Sequence, residues 1–144
     1  MDIEELTRGA ESGDVVAQGV LGLCYLEGID VEIDFVQAFR LLSAAAEHGA
    51  SRPIACLGRM YAEGLGVVRD LSIAKDLYER AAKRGEFSAQ VALGRIYSQE
   101  TANDRDQNLA LQWYLEALKQ EDRVRDCDEL REARAYVASH RKAQ

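Results

Sequence analysis

A chain of 144 residues, 47% hydrophobic and 30% charged, carries enough apolar side chains for a real core, and disorder is excluded. Its formal net charge of -7 disfavours nucleic acid and anionic membrane as partners, and ten acids against two bases in residues 1–50 make one end strongly negative. Cys24, Cys56 and Cys127 lack CxxC spacing and a nearby histidine, which argues against a zinc site or a disulfide framework and favours buried free thiols.

The first predicted element, residues 1–13, is a helix with Leu6 and Ala10 on its apolar face. Its sequence is acidic where a secretion signal is basic, and the apolar run VVAQGVLGLCYL at 15–26 is shorter than the ~20 residues that span a bilayer. A cytoplasmic location is expected. A repeat follows: LGLCYLEG at 21–28 recurs as LGRMYAEG at 57–64 and LGRIYSQE at 93–100, an offset of 36 residues. The same offset relates Asp34, Asp70 and Asp106, Ala45, Ala81 and Ala117, and Gly49 and Gly85. A period of this length signals an array of supersecondary units that bury their apolar faces against one another.

Each unit reads as two helices. In the first helix Leu21 and Tyr25 share a face beside Gly22, which lets the partner helix approach closely; in the second, Ala38, Leu41, Leu42 and Ala45 form the face. The later units repeat it as Ala74, Leu77, Tyr78, Ala81 and as Ala110, Trp113, Tyr114, Ala117, which places Trp113 in the core. Asp34, Asp70 and Asp106 stand where N-caps of the second helices belong, and Gly49 and Gly85 where left-handed residues end them. The GLG at 64–66 falls in the bend between two helices before an aspartate, a turn rather than a phosphate cradle. The third turn, QETANDRD, lacks both glycines and is expected to be longer or looser. Residues 122–140 read as a last amphipathic helix with Val124, Cys127, Leu130, Ala133 and Val137 on its apolar face.

The Leu-Gly, Tyr, Gly-x-Gly-Val, Asp, Ala and Ala-Ala run of the middle unit resembles the Sel-1-like repeat, a relative of the tetratricopeptide repeat with a longer turn, over about residues 15–121. The regularly spaced cysteine pairs of its secreted members are missing. The resemblance implies an all-α, right-handed solenoid of helical hairpins in a single domain. A half-repeat helix at 1–13 precedes repeats at 15–50, 51–86 and 87–121, and a capping helix at 122–144 ends it. It also implies a protein-interaction module, an adaptor or scaffold, whose first helices line a concave groove.

The groove positions hold Val16, Gly19, Val20, Leu23, Leu26 and Glu27 in the first unit; Arg52, Ala55, Cys56, Arg59, Ala62 and Glu63 in the second; and Ser88, Val91, Ala92, Arg95, Ser98 and Gln99 in the third. Arg59, Arg95 and Arg131 occupy one column, a basic row able to meet the carboxylates of an extended peptide, with Leu23 adding an apolar pocket. The candidate partner-binding residues are therefore Leu23, Glu27, Arg52, Arg59, Glu63, Arg95, Gln99 and Arg131. An ordinary ion pair with Glu63, four residues on, accounts equally for Arg59, whereas Arg95 faces Gln99 and lacks such a partner. His48 and His140 suit helix ends. Nothing left over assembles a nucleophile, an acid–base pair or a metal cluster, so neither catalysis nor a cofactor is expected. A second reading is a dedicated inhibitor, such as a toxin's immunity protein, whose Glu4, Glu5, Glu11, Glu32 and Asp34 steer a basic target. A third is self-association through the ends of the array.

Overall fold

The computed structural model describes residues 2–100 and 103–141. These hold eight α-helices and no strand: α1 (Ile3–Glu11), α2 (Val15–Glu27), α3 (Phe35–Glu47), α4 (Ser51–Glu63), α5 (Leu71–Lys83), α6 (Phe87–Glu100), α7 (Asp104–Leu118) and α8 (Asp128–Arg141). They fall into two compact units. One ends at Arg84 and contains α1–α5; the other begins at Gly85 and contains α6–α8.

Within each unit, helices adjacent in sequence pack as antiparallel hairpins, with first helix α2 also touching first helix α4 and α6 touching α8. The hairpins close because glycine lies under a large side chain of the facing helix. A Cβ at Gly22 would come within 2.8 Å of Leu42, one at Gly58 within 3.0 Å of Tyr78, and one at Gly94 within 2.7 Å of Tyr114. These three pairs share the 36-residue register, so one small-against-large contact is used three times. The first unit's core gathers Ala10, Ala17, Leu21 and Leu41, with Ile3, Leu6 and Tyr25 packed against it. In the second, Val91, Leu111, Tyr114, Ala117, Ala133 and Val137 pack together.

The helix ends follow the aspartates and glycines. Asp34 accepts from the Gln37 N–H, and Asp70 from the Ser72 and Ile73 N–H groups. Gly64 ends α4 in the left-handed region at φ 68°, while Gly49 and Gly85 follow α3 and α5 at φ 80° and 89°. The cap expected at Asp106 lies elsewhere: Asn103 caps α7, accepting from the Asp106 N–H at 2.8 Å, while its own amide donates to the Asp106 carboxylate. With no glycine to stop α6 or delay α7, the helices run further into the connection. Only positions 101–103 separate them, where the first two repeats spend 28–34 and 64–70. The third turn is thus shorter, not longer, and Thr101 and Ala102 lie outside the described residues.

Three packing expectations are corrected. Trp113 is only half-buried, and Leu77 in the same column likewise, because this position lies at the edge of the helix face that Leu41 buries fully in the first unit. The last helix begins at Asp128, so Val124 and Cys127 precede it, and only Leu130, Ala133 and Val137 of the expected face are buried on it. No cysteine is in a disulfide, but Cys24 alone is buried, Cys56 and Cys127 being half-buried. Burial, and then the charge of Asp30, raises the Cys24 thiol pKa.

Each unit holds a further side-chain bond to a glycine carbonyl. The Arg84 guanidinium donates to the Gly49 carbonyl, and Gln120, 36 positions on, donates through Nε2 to the Gly85 carbonyl at 2.8 Å. Each side chain satisfies the carbonyl of a left-handed glycine.

In the first turn, Asp30 takes the left-handed conformation (φ 58°) that Gly66 adopts at the equivalent place in the second. Aspartate tolerates this conformation better than most residues and still bears a cost. Asp30→Gly is expected to raise stability by roughly 0.5 kcal/mol, read as a higher urea midpoint by circular dichroism; an unchanged or lower midpoint would mean the turn is unstrained.

Candidate functional site

Five positions of α2 and the start of α4 enclose a cavity of about 420 Å³. Its walls are Val15, Val16, Gly19, Val20 and Leu23 on one side and Pro53 and Cys56 on the other, with Leu42 also lining it and Ala50, Ser51 and Arg52 at the α4 end. The sequence assembles it simply. Apolar residues that α2 does not spend on its own hairpin partner face outward at helical spacing, and Gly19 keeps that face low, with Pro53 opposite. Val16 remains 74% exposed, an apolar lip at the mouth.

Arg52 is the one charged side chain that lines the cavity. It is exposed and has no ion pair or side-chain hydrogen bond among the described residues. It also stands in the first turn of α4, where a cation opposes the helix dipole; this turn has no acid, and its N-cap, Ala50, offers no side-chain bond. Leu23 and Arg52 are thus brought to one cleft, together with groove positions Val16, Gly19, Val20 and Cys56. Leu26, Ala55 and Val91, also read as groove positions, are instead buried, because helix-to-helix packing consumes that side of the first helices.

The arginine column is internally paired. Arg59 bonds Glu27 on α2 and Glu63 on its own helix, the latter at 3.2 Å. Burial opposes the charge on this guanidinium, but the two carboxylates outweigh it and its pKa is raised. Arg95, read from sequence as lacking a partner, holds Glu132 of α8 through Nε and Nη2, at 2.8 and 2.7 Å. This hydrogen bond, with burial opposing it, raises the Arg95 pKa. Glu132 also accepts from the Tyr114 hydroxyl at 2.9 Å, and burial, reinforced by that carboxylate, drives the tyrosine pKa upward. Arg131 pairs with Asp128 at 3.0 Å and Asp126 at 3.7 Å. Gln99 is exposed. Arg59 belongs to the first unit, and Arg95 and Arg131 to the second.

Sequence reading missed Glu132 because it lies 37 residues from Arg95, one off the repeat, on a helix whose start departs from register. It also missed the contribution of residues 50–53 to the cleft, since Ala50 and Pro53 carry no chemistry of their own. A second open cavity, about 700 Å³, lies in the other unit between α7 and α8 and is lined by Trp113, Leu115, Leu118 and Val137, with Glu116, Lys119 and Arg141 around it. Among the described residues no group of His, Cys, Asp or Glu could hold a metal ion, and no helix is long and apolar enough to cross a membrane.

The model of the Sel1 repeat matches residues 15–49, 57–86 and 87–122. Among solved structures, the chain is similar to a Sel1 repeat protein from Oxalobacter formigenes: 38% identity, 96% of this chain and 98% of that one covered, TM-score 0.74. It is also similar to c5321, a protective antigen of uropathogenic Escherichia coli strains with an SLR fold: 25% identity, TM-score 0.76, 93% of this chain but 32% of that one. Both relatives are bacterial. Nothing among curated proteins matches. Repeats of this kind are in general protein-interaction scaffolds and typically non-catalytic. Three matched copies and a solved relative covered nearly end to end assign the fold: the chain belongs to the Sel1 repeat family.

Proposed function

We propose that the chain is a non-catalytic interaction module, one array of repeats with a half-repeat helix at each end, that receives a protein or peptide partner on its first helices. The observation that supports this reading is the apolar cleft between α2 and α4, left open although the side chains around it are ones a fold ordinarily buries. Its volume, about 420 Å³, lies within the ~300–1,000 Å³ usual for ligand sites. The arginine column takes a different role in this reading. Arg59, Arg95 and Arg131 already hold carboxylates, so an acidic ligand there would have to displace Glu27, Glu132 or Asp128.

The test is capture from a bacterial lysate with quantitative mass spectrometry, using wild type, Val20→Glu and the triple variant Glu4→Lys, Glu5→Lys, Glu11→Lys, each first checked for helicity. Loss of a partner in Val20→Glu and its retention in the triple variant is the expected result. The reverse pattern would transfer the site to the exposed acids of α1, Glu4, Glu5 and Glu11, as an inhibitor of a basic target requires.

A further inference from the structure

The cleft described above carries one charge, and its sign is opposite to that of the chain. Ten residues around it are uncharged, the eleventh is Arg52, and the protein as a whole is at -7. Structural reasons for a cation at this place are missing: it has no partner among the described residues, and its position opposes the dipole of α4. Of the four arginines at the positions read as partner-binding, Arg59, Arg95 and Arg131 are matched by carboxylates of the same chain, and Arg52 has none among the described residues. Asp14, the acid nearest in sequence to the α2 side, is engaged as an N-cap, accepting from the Ala17 N–H.

We infer that the α2–α4 cleft recognises an extended segment of a partner protein in which an aliphatic residue fills the apolar cavity and an aspartate or glutamate one or two positions away pairs with Arg52. This rests on the reading of the cleft as the docking site. The geometry suits such a segment because an extended chain advances ~3.3 Å per residue, so a residue one or two positions away lies ~3–7 Å along, within reach of a long guanidinium side chain at the rim. The paired arginines supply no second anionic subsite, so a single acid suffices, and a run of acids brings no proportionate gain.

The experiment is selection of random dodecapeptides displayed on phage and joined to the coat protein through their C-termini, so that no peptide carries a free terminal carboxylate. The baits are wild type, Arg52→Gln and Val20→Glu, each verified as helical. Wild type is expected to enrich an aliphatic residue with Asp or Glu one or two positions away; Arg52→Gln is expected to keep the aliphatic preference and lose the acidic one. For a peptide so obtained, replacing its acid with the amide should weaken binding to wild type roughly tenfold and leave binding to Arg52→Gln unchanged. An acidic preference that survives Arg52→Gln, or an aliphatic preference with no acid, overturns the inference while leaving the docking site in place. Enrichment that survives Val20→Glu overturns the docking site itself. Absence of any enriched segment, or enrichment only when the same library is displayed with free C-termini, also overturns the inference, the latter result assigning Arg52 to a terminal carboxylate.

Discussion

Gly94→Ala is expected to destabilise the protein by about 1–3 kcal/mol, a fall of roughly 5–10 °C in midpoint, although alanine is the better helix former. The added methyl would lie 2.7–2.8 Å from three atoms of the Tyr114 ring. That ring has nowhere to retreat. It is 1% exposed, packs against Tyr136 with centroids 4.9 Å apart, and is held at its far end by the hydroxyl's bond to Glu132. A double-mutant cycle separates the clash from everything else. Tyr114→Ala alone should cost ~3–5 kcal/mol through the cavity it leaves. In that background, Gly94→Ala should change sign and stabilise by up to ~1 kcal/mol, its helix-propensity gain, as urea denaturation would report. A destabilising Gly94→Ala in both backgrounds would mean that the ring is not the obstacle.

The second large effect is alkaline. The Tyr114 pKa stands above the ordinary tyrosine value of ~10, first because the phenol is buried and second because it bonds a carboxylate that would repel the phenolate. A group whose folded pKa is raised stabilises the fold fully below its unfolded pKa, and loses that contribution as pH rises. Wild type should therefore surrender ~1.4 kcal/mol per pH unit from this residue above about pH 10, in addition to what its other tyrosines contribute. Tyr114→Phe should cost ~0.5–1.5 kcal/mol at neutral pH, where the hydroxyl bond is lost, and then fall less steeply, so that the two stability curves cross above about pH 10. Denaturant midpoints from pH 7 to 11.5 provide the check, and parallel curves would contradict the assignment.

Most of the hairpin architecture is legible in the sequence because it follows from short-range rules. Period, aspartate caps and glycine stops act within a few residues of their own position, and Asp34, Asp70, Gly49 and Gly85 sit where those rules place them. Departures come where a rule depends on a residue's absence. Without a glycine stop, α6 and α7 lengthen, and Asn103 caps in place of Asp106. At Trp113 a column occupied by leucine in the earlier units suggested a depth of burial that the neighbouring helices do not supply.

The candidate site was less legible, for a physical reason. Leu23 and Arg52 could be placed on the right face by helical periodicity, but what a charged side chain does depends on partners distant in sequence. Arg59 and Arg95, unlike Arg52, have carboxylates within reach: Glu27 lies 32 residues away from the first and Glu132 lies 37 residues from the second. Three arginines of the first helices thus separate into two that are tied to carboxylates of the chain and one, Arg52, with no such partner among the described residues.

The bonds from Arg84 to the Gly49 carbonyl and from Gln120 to the Gly85 carbonyl run in one direction along the chain, each donor lying later than the carbonyl it satisfies. A bond is lost whichever of its two ends moves, so Arg84 couples the end of α3 to the end of α5: local opening at either costs the other a bond partner, and the two ends are expected to become exchange-competent together rather than one after the other.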